Sequence, residues 1–172
     1  MAELREGALI NDRFEVAEHL ATGGFASVWK GHDRQLARKV AIKRLLSQSF
    51  IDPKLREEAI DEARKIASVS HSNIVSVFDV INYEDEILIV MEYLEGGTLH
   101  DLLRKRCMDG GWLCPVESFS LVHGILSGLK AAHDAKNGPI IHRDLKPLNI
   151  LFDSRRVPKI ADFGLASIGT VT

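Results

Sequence analysis

Alternating apolar and polar positions dominate the first quarter of the chain. The segments "RFEVAEHLAT", "SVWKGHD" and "KVAIKRL" have the period of two that is typical of strands with one buried face. In the third segment, Val40 and Ile42 lie on one face, and Ala41 and Lys43 lie on the other. The small residues Gly23-Gly24 separate the first two segments and favour a turn. This pattern predicts three strands, with a hairpin between the first two.

A helical period begins at Pro53, a residue that is compatible with the first turn of a helix. In "KLREEAIDEARKIASV", Leu55, Ala59, Glu62 and Ile66 recur at spacings of three or four and would share one stripe. A glutamate on an inward stripe requires a specific explanation. We therefore treat Glu62 as a candidate functional residue.

The pattern changes twice more along the chain. "HSNIVSVFDVINYEDEILIVMEY" predicts two strands joined by the acidic turn Tyr83-Glu84-Asp85, and "EGG" at 95–97 predicts a linker. Helical segments follow in "TLHDLLRKR" and from Pro115 to about Ala135, and the tail contains two short strands, "NILF" and "PKIAD". A strand-rich half followed by a helical half predicts an α+β fold.

Composition narrows the class of protein. The 172 residues are 45% hydrophobic and 27% charged, which is typical of a globular protein with one domain or two small lobes that share a cleft. The formal net charge of −2 gives no support for electrostatic binding to nucleic acid. The longest apolar run, "ILIVM", is too short to cross a bilayer. Cys107 and Cys114 cannot complete a zinc site alone. We expect a cytoplasmic chain with reduced thiols, no membrane segment and no nucleic-acid partner.

Lys43 is the first residue that is unusual for its position, because it lies among the apolar residues of a predicted strand. One interpretation is a lysine at a strand edge whose ammonium reaches water. The other is a phosphate ligand, because a fixed ammonium neutralises anionic oxygens. Glu62, nineteen residues later, could orient that ammonium. Either residue alone would more often be structural.

The loop in "LATGGFASV" has two interpretations. Its small residues could let backbone N–H groups approach phosphates closely. Of the three glycines of a G-x-G-x-x-G loop, only the middle one, Gly23, is present, since Ala21 and Ala26 occupy the other two positions. By itself, this loop is better explained as a plain hairpin turn.

The segment "HRDLKPLN" at 142–149 is much more specific. Asp144 could accept a proton from an attacking hydroxyl group, and Lys146 could neutralise a phosphoryl group in transfer. Asn149 and Asp162 offer oxygen ligands to a divalent cation. A polar loop that bonds its own backbone would explain some of these residues but not their joint order.

In this order, the motifs resemble the eukaryotic-type (Hanks-type) Ser/Thr protein kinase family. The matching elements run from about Phe14 to the last residue: "LATGGFASV", "VAIK", Glu62, "HSNIV", "VMEYLEGG", "HRDLKPLN" and "DFG". The lysine in "HRDLK" is similar to that of Ser/Thr-specific members rather than tyrosine-specific ones. The resemblance implies ATP and Mg²⁺ as cofactors and a protein with Ser or Thr as substrate.

The resemblance also implies a role for each matching residue. Lys43 would hold the α- and β-phosphates and pair with Glu62, Asp144 would be the catalytic base with Lys146 beside it, and Asn149 and Asp162 would hold Mg²⁺. The residues implied to contact ATP are Leu20, Ala21, Thr22, Gly23, Gly24, Phe25, Ala26, Val28, Ala41, Lys43, Met91, Glu92, Leu94 and Leu151. Among these, Met91 would be the gatekeeper, and the backbones of Glu92 and Leu94 would bond the adenine edge.

Further roles follow from the same resemblance. Ile66, Val77, His142 and Phe163 resemble the hydrophobic spine that aligns the two lobes of such kinases. Arg143 resembles the arginine that contacts a phosphorylated activation loop, for which Thr170 and Thr172 are candidate phosphorylation sites.

The implied architecture is a kinase-like α+β fold. Residues 1–92 would form an N-lobe of antiparallel sheet with one regulatory helix, and residues 93–172 would form a partial helical C-lobe that stops shortly after "DFG". The alanines at 21 and 26 should stiffen or displace the loop over the phosphates. Because the family's later helices do not follow Thr172, the helix at 115–135 should expose apolar surface that a partner could cover. The segment alone should transfer phosphate poorly.

Three functions therefore remain at this point. The first is ATP-dependent phosphorylation of Ser or Thr in proteins. The second is a catalytically silent module that binds nucleotide or a partner kinase through its exposed core. The third, a small-molecule phosphotransferase of related fold, fits less well, because such enzymes usually lack the whole "HRDLKP" run.

Overall fold

The fold was determined as a computed structural model, which describes residues 4–24, 26–45, 53–83 and 86–163. The chain forms two compact units. Among the described residues, the first unit contains those from 4 to 67 together with 77–93, and the second contains Ser68–Ser76 together with 94–163. Strands dominate the first unit and helices the second, so the predicted α+β class is confirmed.

The first unit is built on one antiparallel sheet of six strands, in the order β1-β2-β3-β4-β6-β5. The strands are β1 (Leu9–Ile10), β2 (Phe14–Thr22), β3 (Ala26–Asp33), β4 (Arg38–Leu45), β5 (Val77–Tyr83) and β6 (Glu86–Glu92). Five of them lie where the alternating pattern predicts a strand, and only the two-residue β1 was not predicted. Successive strands pair directly with their neighbours, except that β4 pairs with β6.

One face of this sheet carries the main hydrophobic core of the unit. Val40 and Ile42 are fully buried there, as the alternation in β4 predicts. Phe14 and Val16 of β2 belong to the same cluster, as does Leu88 of β6. Ala41 and Lys43, on the other face of β4, are buried as well. The strand is therefore covered on both sides.

Helix α1 (Pro53–Ala67) packs against β5. Ala59 and Ile66 of the predicted stripe are buried, and Glu62 is half-buried. Ala63 is buried too, so the inward stripe is wider than the predicted one. The side chain of Leu55 lies outside the described residues, as does the acidic pair Glu84-Asp85.

The described residues of the second unit form two helices and a small hairpin. Helix α2 (Leu99–Met108) begins with a capping box, in which the Thr98 hydroxyl accepts from the Asp101 N–H and the Asp101 carboxylate accepts from the Thr98 N–H. Helix α3 (Pro115–His133) begins in the same way at Cys114 and Glu117. Strands β7 (Ile150–Phe152) and β8 (Pro158–Ile160) pair antiparallel and follow a short 3-10 turn at Pro147–Asn149.

Helix α3 has two different faces. Its buried face is lined by Gly124, Gly128 and Ala132, at spacings of four. Its other side exposes large apolar residues at spacings of three and four, namely Val116, Phe119, Val122 and Leu126. The predicted exposure of apolar surface on this helix is therefore confirmed. Among the helices of the described ranges, none is both long and apolar enough to cross a membrane.

Candidate active site

Lys43 lies near the end of β4, where its Cα pairs with Val28 of β3 and Ile89 of β6. Its exposed fraction is 7%, and no other lysine or arginine of the described ranges is buried. Burial of an ammonium is unfavourable unless an anion compensates for the lost hydration. The structure thus places a cation where the sheet positions it rigidly, and it excludes the interpretation of Lys43 as a lysine that reaches water at a strand edge.

Leu20 lies at an irregularity in the pairing of β2 with β3. His19 pairs with Trp29 and Ala21 pairs with Val28, so Leu20 is the extra residue of a β-bulge. Its side chain is exposed. A bulge redirects a side chain away from the regular alternation, which explains how an apolar residue comes to project here from an otherwise polar end of the strand.

The turn after β2 is tight. The Gly23 N–H donates to the Ala26 carbonyl at 2.8 Å, and Ala21, Thr22 and Gly24 are exposed. A Cβ atom added to Gly23 would lie 3.7 Å from its nearest neighbour, and one added to Gly24 would meet nothing within 4 Å. The fold itself therefore does not require either glycine. Phe25 lies outside the described residues.

The end of β6 adjoins the middle of β4. Met91 pairs with Ala41, and Glu92 pairs with Val40. Met91 and Glu92 are half-buried, whereas the preceding residues of β6 are fully covered. The sheet thus brings the predicted gatekeeper beside Ala41, which the resemblance assigns to the same nucleotide.

In the second unit, Asp144 is the centre of a polar network. The Lys146 ammonium lies 2.6 Å from its carboxylate, and the Asn149 side-chain amide donates to the same carboxylate at 3.2 Å and to the Asp144 carbonyl at 2.8 Å. Hydrogen bonding from Lys146 is the largest cause that lowers the pKa of Asp144, and the lysine charge and the Asn149 amide act in the same direction. Asp144 is therefore ionised at neutral pH.

The β7–β8 hairpin brings the two predicted metal ligands close in the fold. Asn149 comes directly before β7, and Asp162 comes two residues after β8. Across the end of the hairpin, the Ala161 N–H donates to the Asn149 carbonyl at 2.9 Å. Asn149 is buried and Asp162 is half-buried. The described residues contain no group of three or more His, Cys, Asp or Glu side chains arranged to hold a metal ion.

His142 forms hydrogen bonds to two segments of the candidate site. It is buried, and its Nε2 lies 2.7 Å from the Ala161 carbonyl, while its Nδ1 lies 3.3 Å from the Asp144 N–H. A carbonyl can only accept and an amide N–H can only donate, so these partners require the neutral tautomer with the proton on Nε2. The ring also contacts Phe163, with 4.8 Å between ring centroids. His142 therefore links the segment of Asp144 to that of Asp162.

Two residues around the network have an unusual backbone conformation. Arg143 and Asp162 have φ values of 63° and 60°, in the left-handed region that favours glycine. A residue other than glycine in this region is conformationally strained, and strained residues of this kind occur often at functional sites. Arg143 directly precedes Asp144, and Asp162 is the second predicted metal ligand.

The segment "EGG", which was predicted as a linker, forms backbone hydrogen bonds to strand β7. The Gly96 N–H donates to the Phe152 carbonyl, and the Phe152 N–H donates to the Gly97 carbonyl, each at 3.0 Å. A Cβ atom on Gly96 would lie 2.5 Å from the Phe152 carbonyl oxygen, so only glycine fits. This clamp fixes β7, including the half-buried Leu151, against the residues that follow the half-buried Leu94.

Asn73 positions the hairpin, although no role was predicted for it. Its side-chain amide donates to the Pro158 carbonyl at 2.8 Å, and its own carbonyl accepts from the Ile160 N–H at 2.9 Å. On the opposite side, a Cβ atom on Gly128 would lie 2.7 Å from the Asn73 carbonyl. The spacing of Gly124 and Gly128 on one helix was the available signal for this close contact.

Comparison with known proteins identifies the family of this chain. Residues 14–170 match the family model described as the protein kinase domain. The chain belongs to the protein kinase family. The kinase-like fold and the Hanks-type Ser/Thr resemblance are therefore confirmed, and by family the chain is a Ser/Thr protein kinase, a transferase.

The similar relatives of this kinase domain are bacterial and plant proteins. A probable serine/threonine-protein kinase of Streptomyces coelicolor is 36% identical over 95% of the chain, which covers 24% of that relative. PrkC of Bacillus subtilis is 36% identical over 94% of the chain and PknL of Mycobacterium tuberculosis 37% over 93%, with 24% and 38% of those relatives covered. The kinase domain described here thus spans well under half of each relative.

Proposed function

We propose that this kinase domain transfers the γ-phosphoryl group of ATP to a serine or threonine hydroxyl of a protein, with Mg²⁺ as cofactor. The observation that carries the proposal is the network of Asp144, Lys146 and Asn149. It combines a fixed carboxylate, an ammonium and an amide within hydrogen-bonding distance of one another. Phosphoryl transfer depends mainly on such positioning and on charge neutralisation.

In the proposed reaction, the substrate hydroxyl oxygen forms a bond to the γ-phosphorus, and the bond from that phosphorus to the bridging β–γ oxygen breaks. ADP leaves with the electron pair of the broken bond. The hydroxyl proton passes to the Asp144 carboxylate, which is ionised at neutral pH because its neighbours lower its pKa. Lys146 then neutralises the charge on the transferred group.

The residues present are suited to hold Mg²⁺. The Asn149 side-chain nitrogen donates both of its bonds to Asp144, and within the described ranges nothing donates to the amide oxygen. That oxygen and the Asp162 carboxylate are hard ligands of the kind that Mg²⁺ prefers, and a set of two suits an ion that retains waters and phosphate oxygens as its other ligands. When bound, Mg²⁺ neutralises phosphate charge and aligns the phosphates.

For the nucleotide, we propose Lys43 as the ligand of the α- and β-phosphates, with Glu62 as its partner. The turn at Ala21–Ala26 would cover the phosphates, because neither glycine is required by the fold and both leave space for close approach. Apolar contacts to adenine are proposed for Leu20, Val28, Ala41, Met91 and Leu151. The backbones of Glu92 and Leu94 would bond its polar edge.

Two proposals concern regulation and location. Arg143 is proposed to contact a phosphorylated activation segment, whose candidate sites Thr170 and Thr172 lie outside the described residues together with Gly164. The domain is proposed to act in the cytoplasm, because Cys107 and Cys114 are exposed free thiols, as is usual in a reducing compartment.

Two measurements on the purified natural protein test the function. In a thermal-shift titration, Mg-ATP should raise the melting temperature, and Lys43→Met should weaken that effect. In a transfer assay with Mg-ATP and a generic protein substrate, Asp162→Asn should abolish phosphorylation. Stabilisation by nucleotide without transfer would instead support the silent binding module. Transfer to a small molecule but to no protein would support a phosphotransferase. Transfer that persists in both variants would contradict the proposal.

A further inference from the structure

The second unit contains a groove outside the proposed catalytic segment 142–149. It lies between α2, the start of α3 and the β7–β8 hairpin, and its volume is about 330 Å³. Six apolar residues form most of its wall: Leu102, Leu113, Val116, Leu121, Phe152 and Pro158. Ligand pockets begin at about 300 Å³, so the groove is large enough for one or two apolar side chains of a partner.

The charged residues of the groove differ in whether an ion-pair partner neutralises them. Arg106, Arg156 and Glu117 line it. Glu117 already accepts from the Arg106 guanidinium at 2.9 Å and from the Cys114 N–H at 2.8 Å, and the bond from Cys114 is the largest cause that lowers its pKa. Within the described ranges, Arg156 forms no salt bridge, so the groove retains one unneutralised positive charge.

The turn that carries Arg156 is held rigidly. The Asp153 carboxylate accepts from the N–H groups of Arg155 and Val157, and the Asp153 carbonyl accepts from the Arg156 N–H. Asp153 also pairs with the exposed Arg155, so its charge is already compensated. Arg156 itself has a φ of 66°, and its guanidinium lies 5.9 Å from the centre of the Phe152 ring. The backbone that carries this exposed cation is therefore fixed beside the apolar wall.

We infer that this groove is a docking site for an acidic peptide segment of a partner protein, with aliphatic anchors between its carboxylates. The apolar wall would bury an anchor side chain, and Arg156 would pair with an adjacent carboxylate. Arg104 and Lys105, which are exposed in the last turns of α2, extend the positive charge beyond the groove. A basic peptide would meet repulsion at the same place, so charge complementarity selects the partner.

This docking site is separate from phosphoryl transfer, so it can be tested by binding alone. The probe is a fluorescein-labelled synthetic peptide of alternating aspartate and leucine residues, measured by fluorescence polarisation with the natural protein. Two comparison peptides replace either the aspartates by lysine or the leucines by serine. The acidic, leucine-containing peptide should bind most tightly, and its affinity should fall as the salt concentration rises.

Two matched pairs of variants locate the site. Arg156→Gln should weaken binding by about tenfold, which is the lower end of the range for close charge pairs across interfaces, whereas Arg155→Gln on the same turn should have little effect. Val116→Glu, in the groove wall, should abolish binding, whereas Val122→Glu on the same helix should not. Both valines are largely exposed, at 75% and 52%, so neither change should prevent folding.

Several results would overturn the inference. These are equal effects within either pair of variants, equal binding of the lysine peptide, or binding that persists in Val116→Glu. A change from dimer to monomer in Val116→Glu, measured by sedimentation, would show that a second copy of the chain occupies the groove instead. Arg156→Gln should also leave phosphoryl transfer to a generic substrate unchanged, so failure of the docking site is distinguishable from failure of the proposed enzyme.

Discussion

The Lys146 ammonium and the Asp144 carboxylate form a salt bridge of 2.6 Å in the segment 142–149, which we propose as the catalytic loop. Both side chains remain partly exposed, with fractions of 46% and 37%. The bridge lowers the pKa of Asp144 below its ordinary value, and it holds the lysine beside the position at which a hydroxyl would lose its proton. The two residues are therefore coupled, and a change to one should alter the titration of the other.

Removal of the lysine tests that coupling. In Lys146→Met, the pKa of Asp144 should rise, because the largest cause of its lowering is the hydrogen bond from Lys146. The turnover rate should fall by about a hundredfold, since one donor to the transferred group is lost. Carboxyl-carbon NMR of protein labelled at aspartate measures the pKa directly. Lys136→Met, a change at an exposed lysine after α3, should leave it unchanged.

The buried histidine should affect catalysis without contact with substrate. In His142→Leu, the bonds to the Ala161 carbonyl and the Asp144 N–H are lost, so the loop should lose its fixed position. We expect the turnover rate to fall by about ten- to hundredfold, because small displacements of catalytic groups have effects of that size. Steady-state kinetics measure this. His133→Leu, at the exposed end of α3, is the control, and an equal loss in both variants would contradict the assigned role.

Sequence reasoning predicted the strands and helices well, because their periods are local properties. The alternation in β4 predicted both the buried pair Val40 and Ile42 and the opposite placement of Lys43. The polar network in the segment 142–149 was also predictable, since its residues are close in sequence. The contacts between Asp144, Lys146 and Asn149 follow from that proximity.

The remaining features depend on contacts between distant segments. Nothing local indicates that Asn73 bonds to both ends of β8, because its partners Pro158 and Ile160 are far away in sequence. The same holds for the clamp between Gly96 and Phe152. For α3, the spacing of Gly124 and Gly128 indicates a face for close packing, but only the three-dimensional structure shows that Asn73 lies against it.

The close packing of α3 gives a prediction about stability. Gly128→Ala should destabilise the protein by about 1–3 kcal/mol, because the new methyl group would overlap backbone that cannot move easily. The nearest atom, the Asn73 carbonyl oxygen, would be only 2.7 Å away. Elsewhere in a helix, a change from glycine to alanine usually stabilises the protein by about 1 kcal/mol. A decrease in the free energy of unfolding would therefore indicate the close contact with Asn73. Urea unfolding gives the value, and Gly111→Ala, which meets no atom closer than 3.8 Å, should have little effect.

A buried ion pair in the first unit gives a prediction about acid stability. Arg13 donates to both oxygens of Asp33 at 3.0 and 2.8 Å, and these bonds are the main reason that the pKa of Asp33 is lowered from 3.8 to about 2. A lowered pKa in the folded state contributes stability that is complete above pH 3.8 and is lost as the pH falls towards 2.

In Arg13→Gln, that contribution should shrink, so acid unfolding should begin at a higher pH. Circular dichroism during an acid titration measures the midpoint. Arg34→Gln, on the exposed turn after β3, should leave the midpoint unchanged. An unchanged midpoint in Arg13→Gln would show that the N–H groups of Gln35 and Leu36, which also bond Asp33, are sufficient.

The most direct test of the central claim is the initial rate of phosphoryl transfer from Mg-ATP to a Ser/Thr-containing protein by the natural protein and by Asp144→Asn. If Asp144 is the base, the rate should fall by about 10²–10⁴-fold, while nucleotide binding persists. Asp134→Asn, a change at the exposed C-terminal end of α3, should keep the full rate. A rate in Asp144→Asn equal to that of the unaltered protein would contradict the assignment of this loop as the catalytic centre.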